Sequence, residues 1–181
     1  MTMTTRYRSD IDGLRALAVL LVFAYHLKLS PFSGGFIGVD VFFVISGFLI
    51  TGIVIKAIDR NSFSLSDFFN RRIKRIVPNV FLVASCTIIA GWFILLPKDY
   101  SSLISSYLYT SIYAANFYFW KATGAYFSSS ADEMPLLHMW SLAVEEQYYF
   151  IWPIIILLAL KHIKTKHIGV ITLIISVFAF I

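Results

Sequence analysis

The chain has 181 residues, 59% of them hydrophobic and 14% charged, with a formal net charge of +5 and a mean hydropathy of +0.78. Soluble domains are nearer half apolar and a quarter charged, so an ordinary water-soluble enzyme is disfavoured, and the 17 Phe, 10 Tyr and 4 Trp exclude a disordered chain. The single cysteine, Cys86, rules out an internal disulfide and a cysteine-based metal cluster. In a membrane protein a positive balance reads as cytoplasmic lysine and arginine, not as a nucleic-acid surface.

A helix needs roughly 20 mostly apolar residues to cross the hydrocarbon. Four stretches meet or approach this, at about Ile11–Leu29, Phe36–Ile58, Ile76–Leu96 and Met139–Leu160. A fifth starts near Ile168 and reaches only about 21 Å by Ile181, so residues 1–181 read as the N-terminal part of a longer transmembrane domain, cut within its fifth span. With the N-terminus inside, eleven basic residues fall on the cytoplasmic side: Arg6, Arg8, Lys56, Arg60, Arg71, Arg72, Lys74, Arg75, Lys161, Lys164 and Lys166. Lys28, Lys98 and Lys121 face outward and Arg15 sits at the inner end of span one. That asymmetry sets an N-in, all-α, polytopic bundle. Asp10 and Asp12 sit badly in a signal-peptide n-region, and the first span reads as a retained anchor. The segment Pro97–His138 is expected to face outward, with Tyr100–Trp120 at the interface; an extra crossing there would put Lys161, Lys164 and Lys166 outside.

Charge inside a span costs about 2.5–3.5 kcal/mol at mid-bilayer, so each charged group needs a reason. Span one holds Arg15 and His26, eleven residues apart and therefore stacked on one face about 16 Å apart. Asp12, one turn before Arg15, is placed to pair with it. Span two opens on Gly34-Gly35-Phe36-Ile37-Gly38-Val39-Asp40, whose glycines suit a tight turn and close backbone approach. Asp40 shares a face with Gly47 and Thr51, and could meet His26 across the short outer loop and fix its tautomer; the plain alternative is a solvated interfacial Asp. The run Arg71-Arg72-Ile73-Lys74-Arg75 before Pro78 puts Arg72 and Arg75 on one side of a helix, where guanidinium pairs grip phosphates bidentately. On spacing alone, simple anchoring to anionic lipid is the plainer reading of that run.

Span four opens Trp140-Ser141-Leu142-Ala143-Val144-Glu145-Glu146, with Ser141, Glu145, Tyr148 and Trp152 on one stripe and Glu146 about 100° round. Two carboxylates there need a partner or a proton, and Pro153 is expected to kink the helix just below them. The four histidines lack metal-ligand spacing, and no glycine-rich phosphate loop is present.

Six segments in order resemble one family. They are Tyr7-Arg8 with Asp10-Ile11-Asp12-Gly13-Leu14-Arg15; His26; Gly35 to Leu49; Arg71-Arg72-x-x-Arg75-Ile76-x-Pro78; Asn116 to Trp120; and Leu137-His138-x-Trp140-Ser141-Leu142-x-Val144-Glu145-Glu146-Gln147-Tyr148. The pattern is similar to the membrane-bound acyltransferase 3 family, bacterial enzymes that O-acylate cell-envelope sugars, over about Tyr7–Pro153. The resemblance implies a bundle of about ten helices in the bacterial inner membrane, in some members followed by an SGNH-type domain of which this chain shows nothing. It implies an acyl group, usually acetyl from cytosolic acetyl-CoA, moved to an acceptor such as lipopolysaccharide O-antigen or exopolysaccharide. Arg15 and His26 match the family's Arg-x(10)-His motif, with His26 catalytic as general base or as acyl carrier; Arg72 and Arg75 match its Arg-x-x-Arg motif on the donor side. Asp40, Glu145 and Glu146 carry over less firmly as catalytic residues. No metal and no nucleic acid are implied, the partners are acyl-CoA, the carbohydrate acceptor and lipid, and the oligomeric state stays open. The rival readings are a transporter or flippase for a sugar or ion, and an inactive truncated membrane partner.

Overall fold

Among the described residues, six helices follow in chain order: α1 (Ser9–His26), α2 (Ile37–Asp59), α3 (Leu65–Ile94), α4 (Pro97–Ser111), α5 (Ala115–Thr123) and α6 (Met139–Leu160). The computed structural model describes residues 8–123 and 134–160, and among them there is no strand. The expected fifth span, with Lys161, Lys164 and Lys166 before it, lies outside the described residues, as do Arg6 and Tyr7. Three helices among the described residues are long and apolar enough to cross a membrane: α2, α3 and α6. They correspond to the second, third and fourth expected spans. The first expected span is α1, whose 18 residues include Asp10, Asp12 and Arg15 and so are less apolar. The architecture is that of a polytopic helical membrane bundle. The chain divides into two units, 1–53 and 54–181.

In the first unit α1 and α2 form an antiparallel pair that two glycines bring close. A Cβ on Gly35 would meet the Leu21 carbonyl oxygen and the Tyr25 Cβ; one on Gly38 would meet the Ala18 carbonyl oxygen and the Val22 side chain. Residue number rises from Gly35, in the turn before α2, to Gly38, in its first turn, as it falls along α1 from Leu21 to Ala18. In lipid, where apolar faces gain little by meeting, such close backbone approach is what joins helices. The α1 terminus closes with Lys28 at φ 54°, its N–H bonded to the Tyr25 carbonyl at 2.9 Å and that of Leu29 to Ala24 at 3.1 Å. These two bonds cap the last carbonyls in the Schellman manner.

In the second unit α3 begins eleven residues before the third expected span. Ser64 caps it, its hydroxyl accepting from the Asp67 N–H at 3.2 Å, so the Arg71–Arg75 run lies on the helix. Its 30 residues extend about 45 Å and include Pro78. The basic residues form the lower turns of a helix longer than the hydrocarbon is thick.

The expected outward segment is a finding of another kind. From Pro97 the chain turns back along α3: Trp92 meets Tyr100, Gly91 lies against Leu103, and Phe81 meets Tyr107. Tyr113 then reverses the chain at φ 54°, its N–H bonded to Thr110 and that of Ala114 to Tyr109, and α5 returns. Ala84, Leu103, Ala115, Phe119, Leu136, Met139 and Ala143 form one buried cluster, so the hairpin is packed between α3 and α6 instead of lying at the interface. A serine-rich helix can be buried this way because its hydroxyls are spent locally. Ser102, Ser105, Thr110 and Ser111 each donate to the carbonyl four residues back, and Ser106 donates to Leu103. These five hydroxyls bring little unmet polarity to the helix surface.

Candidate functional site

The first unit carries Arg15, His26 and Asp40. His26 is the last residue of α1, exposed, its ring edge-on to Tyr25 with centroids 5.4 Å apart. Its Nδ1 lies 2.8 Å from the Val22 carbonyl oxygen, one turn back. A carbonyl only accepts, so Nδ1 carries the proton and donates, and the lone pair is on Nε2. This is the tautomer a general base or nucleophile needs. The ring is oriented by Val22 and not by Asp40, which is exposed in the first turn of α2, where a carboxylate complements the helix dipole. The expected Asp12–Arg15 pair is also absent among the described residues. Asp10 instead takes Arg8, at 2.6 Å, and that guanidinium holds the Asp10 carboxyl at about 2. The i, i+2 pair forms because both residues sit where α1 starts and can fold over its first turn. Arg15 is half-buried and its Nε has no hydrogen-bond partner.

The second unit carries Arg72, Arg75, Glu145 and Glu146. α3 and α6 meet at Phe69 and Phe150, stacked with centroids 5.1 Å apart. One turn along, Arg72 places its guanidinium carbon over the Tyr149 ring, 4.4 Å from the centroid, and 5.8 Å from that of Phe68. The Tyr149 hydroxyl donates to Glu145 Oε1. Glu146 feels the charges of both Glu145 and Arg72, yet its Oε1 is buried with no hydrogen-bond partner. Arg72 forms no hydrogen bond or ion pair among the described residues; the ring faces stabilise its charge without using an N–H. An unspent fork and an unspent carboxylate oxygen thus lie within electrostatic range of each other. Together they suit a group that both accepts and donates, such as an amide or a hydroxyl, or an anion on the arginine alone.

The two arginines part company. Arg72 is half-buried against α6, whereas Arg75 is exposed on the edge of α3. Spacing of three rotates them 60° apart, which is enough for a ridge to divide them. The expected stripe on α6 is present: Tyr148 stacks on Trp152 at 5.5 Å, and the Ser141 hydroxyl is spent on the His138 carbonyl at 3.0 Å. α6 runs on through the buried Pro153 as a single helix.

Sequence reasoning missed Gln147, Asn116 and Tyr113. Gln147 Nε2 donates to the Tyr113 carbonyl at 2.7 Å and to Asn116 Oδ1 at 3.0 Å, and Asn116 Nδ2 donates back to Gln147 Oε1 at 3.3 Å. This clasp fixes the hairpin tip to α6 beside Glu146, whose charge acts on the Tyr113 phenol. Both partners stand inside the quoted motifs, but nothing in the motifs pairs them. Gln147→Leu leaves a carbonyl and an amide unanswered and is expected to cost about 1–3 kcal/mol. An unchanged thermal midpoint in detergent would show the clasp to be idle.

The acyltransferase domain family model matches residues 8–181. This chain belongs to that family. It is 43% identical over 169 residues to the peptidoglycan O-acetyltransferase OatA of Listeria monocytogenes, covering 91% of this chain and 27% of that protein. It is 38% identical over 167 residues to the putative peptidoglycan O-acetyltransferase YrhL of Bacillus subtilis, covering 91% and 26%. To the O-acetyltransferase OatA of Staphylococcus aureus it is 39% identical over 164 residues, covering 90% and 27%. The chain spans about a quarter of the length of these curated relatives. No solved structure matches it.

Proposed function

We propose that the intact protein, in the bacterial cytoplasmic membrane, transfers an acetyl group from acetyl-CoA to a hydroxyl of a cell-envelope carbohydrate. The observation that carries this reading is the His26 ring, held by Val22 with Nε2 free, in a chain of this family. The names of the relatives favour peptidoglycan as acceptor over lipopolysaccharide or exopolysaccharide. In one route Nε2 takes the sugar hydroxyl proton as the oxygen attacks the thioester carbonyl. Collapse expels the CoA thiolate, which takes that proton to leave as the thiol. In the other route Nε2 attacks the thioester first and the thiolate leaves; the acyl-imidazolium then passes its acetyl to the sugar oxygen, whose proton is released to the thiolate so that CoA ends as the thiol and Nε2 regains its lone pair. Arg72 receives a phosphate of the donor, Arg75 adds longer-range attraction, and Glu145 and Glu146 order the polar groups around Arg72.

The test is transfer of label from acetyl-CoA to purified peptidoglycan by the intact protein in proteoliposomes. Arg72→Ala is expected to raise the KM for acetyl-CoA by about tenfold or more, Arg72→Lys to recover only part, and Arg75→Ala to do less than Arg72→Ala. Full recovery with lysine would make the site one of bulk charge, and label on lipopolysaccharide alone would reverse the acceptor assignment. A transporter reading draws on one observation, the α4–α5 hairpin, since helical hairpins that stop partway through a bundle line solute paths. Solute uptake with no label transferred would favour it.

A further inference from the structure

We propose that Tyr149 is a positioning residue that holds Arg72 and Glu145 at once, its ring as the platform for the guanidinium and its hydroxyl as the tether of the carboxylate. This rests on the reading above in which Arg72 receives the donor.

Tyr149 is buried, 4% exposed, on the face of α6 that meets α3. A half-buried cation ordinarily recruits a carboxylate, and two stand close by. Glu145 is engaged by the Tyr149 hydroxyl. Glu146 acts on Arg72 through space but forms no ion pair with it within 4 Å among the described residues. The ring is therefore the nearest thing Arg72 has to a partner, at 4.4 Å from its centroid. A cation over a ring face is stabilised by the ring quadrupole, and this consumes no donor. Had Glu145 swung to Arg72 it would have occupied the fork that phosphate needs. The hydroxyl prevents this, because it holds Glu145 one turn up the same helix. One side chain thus both supports the guanidinium and keeps its natural competitor away.

The two halves of the role separate by substitution in the intact protein. Tyr149→Phe keeps the platform and removes the hydroxyl's hold on Glu145. Tyr149→Leu removes both. If the ring is the platform, Tyr149→Leu raises the KM for acetyl-CoA by about tenfold. Tyr149→Phe raises it less, by the share that a released Glu145 claims, and adding Glu145→Gln to Tyr149→Phe lowers the KM again. In an Arg72→Ala background Tyr149→Leu adds nothing further to KM. A structural role alone would lower yield and kcat in every background without this pattern. Should Tyr149→Leu fail to reach the membrane, binding of CoA to Tyr149→Phe and to Tyr149→Phe with Glu145→Gln decides the matter, since rescue is required. Equal KM values for Tyr149→Leu and the parent, or no rescue by Glu145→Gln, overturn the proposal. An Arg72→Ala variant with unchanged KM overturns instead the donor reading on which it stands.

Discussion

Replacing His26 with alanine in the intact protein is expected to lower acetyl transfer by at least about a hundredfold, with membrane yield unchanged. General-base participation is worth about a hundred to ten thousandfold, and an acyl carrier is worth the whole reaction. The ring ends α1 and is exposed, so its loss removes no core packing. Its Nδ1 contact to Val22 is a bond within one turn, and its deletion leaves a helix-end carbonyl that water can satisfy. Fold and chemistry therefore come apart in this variant. His26→Gln sharpens the test, because a side-chain amide can donate to Val22 but offers no basic nitrogen, and is expected to be as inactive as alanine. Activity within threefold of the parent in either variant would remove His26 from the reaction. Trapping of labelled acetyl on the parent and not on His26→Gln would select the acyl-imidazole route over the general base.

What could be read in advance follows the physics of each signal. α2 and α6 were legible to within a residue or two, because hydrophobic runs report directly on the hydrocarbon they cross. The start of α3 was misplaced because four basic residues in Arg71–Arg75 mask helix continuity in hydropathy, although Ser64 with Asp67 three residues on is a cap signature. The α4–α5 hairpin was read as a surface segment for a related reason. Serine and threonine count as polar in composition, yet their hydroxyls bond back to their own helix and bring little polarity to its surface. Stacking of groups on one helix was predictable from spacing, as Tyr148 on Trp152 illustrates. Choice of partner was not. Asp12 and Arg15 had suitable spacing, but Asp10 and Arg8 were nearer the free end, and the carbonyl that orients His26 belongs to the backbone, which no motif displays. The Gln147–Asn116 clasp joins residues 31 apart through a reversal that depends on Tyr113 adopting positive φ, a conformation its residue type does not advertise.

Gly35→Ala and Gly38→Ala are expected to be the most damaging single-methyl changes in the first unit. At each position the new Cβ meets a backbone carbonyl oxygen of α1, Leu21 in one case and Ala18 in the other. A side chain could rotate away; a carbonyl held in a helix cannot, so the helices must move apart. Overpacking of this kind costs about 1–3 kcal/mol, and here the loss of close packing along the α1–α2 seam adds to it. The double variant is expected to lower the thermal midpoint in detergent by more than either alone and to expose α1 to protease. Gly52→Ala supplies the control. It lies within α2 with nothing within 4 Å of the added methyl, so alanine there gains helix propensity, by up to about 1 kcal/mol, and should leave the midpoint equal or higher. The functional consequence follows from what α1 carries. Arg15 and His26 remain in the sequence of the glycine variants, but α1 loses the seam that orients it, so acetyl transfer is expected to fall even though every reacting group is present. Variants at Gly35 and Gly38 with parental stability would mean that α1 is held by something other than its contact with α2.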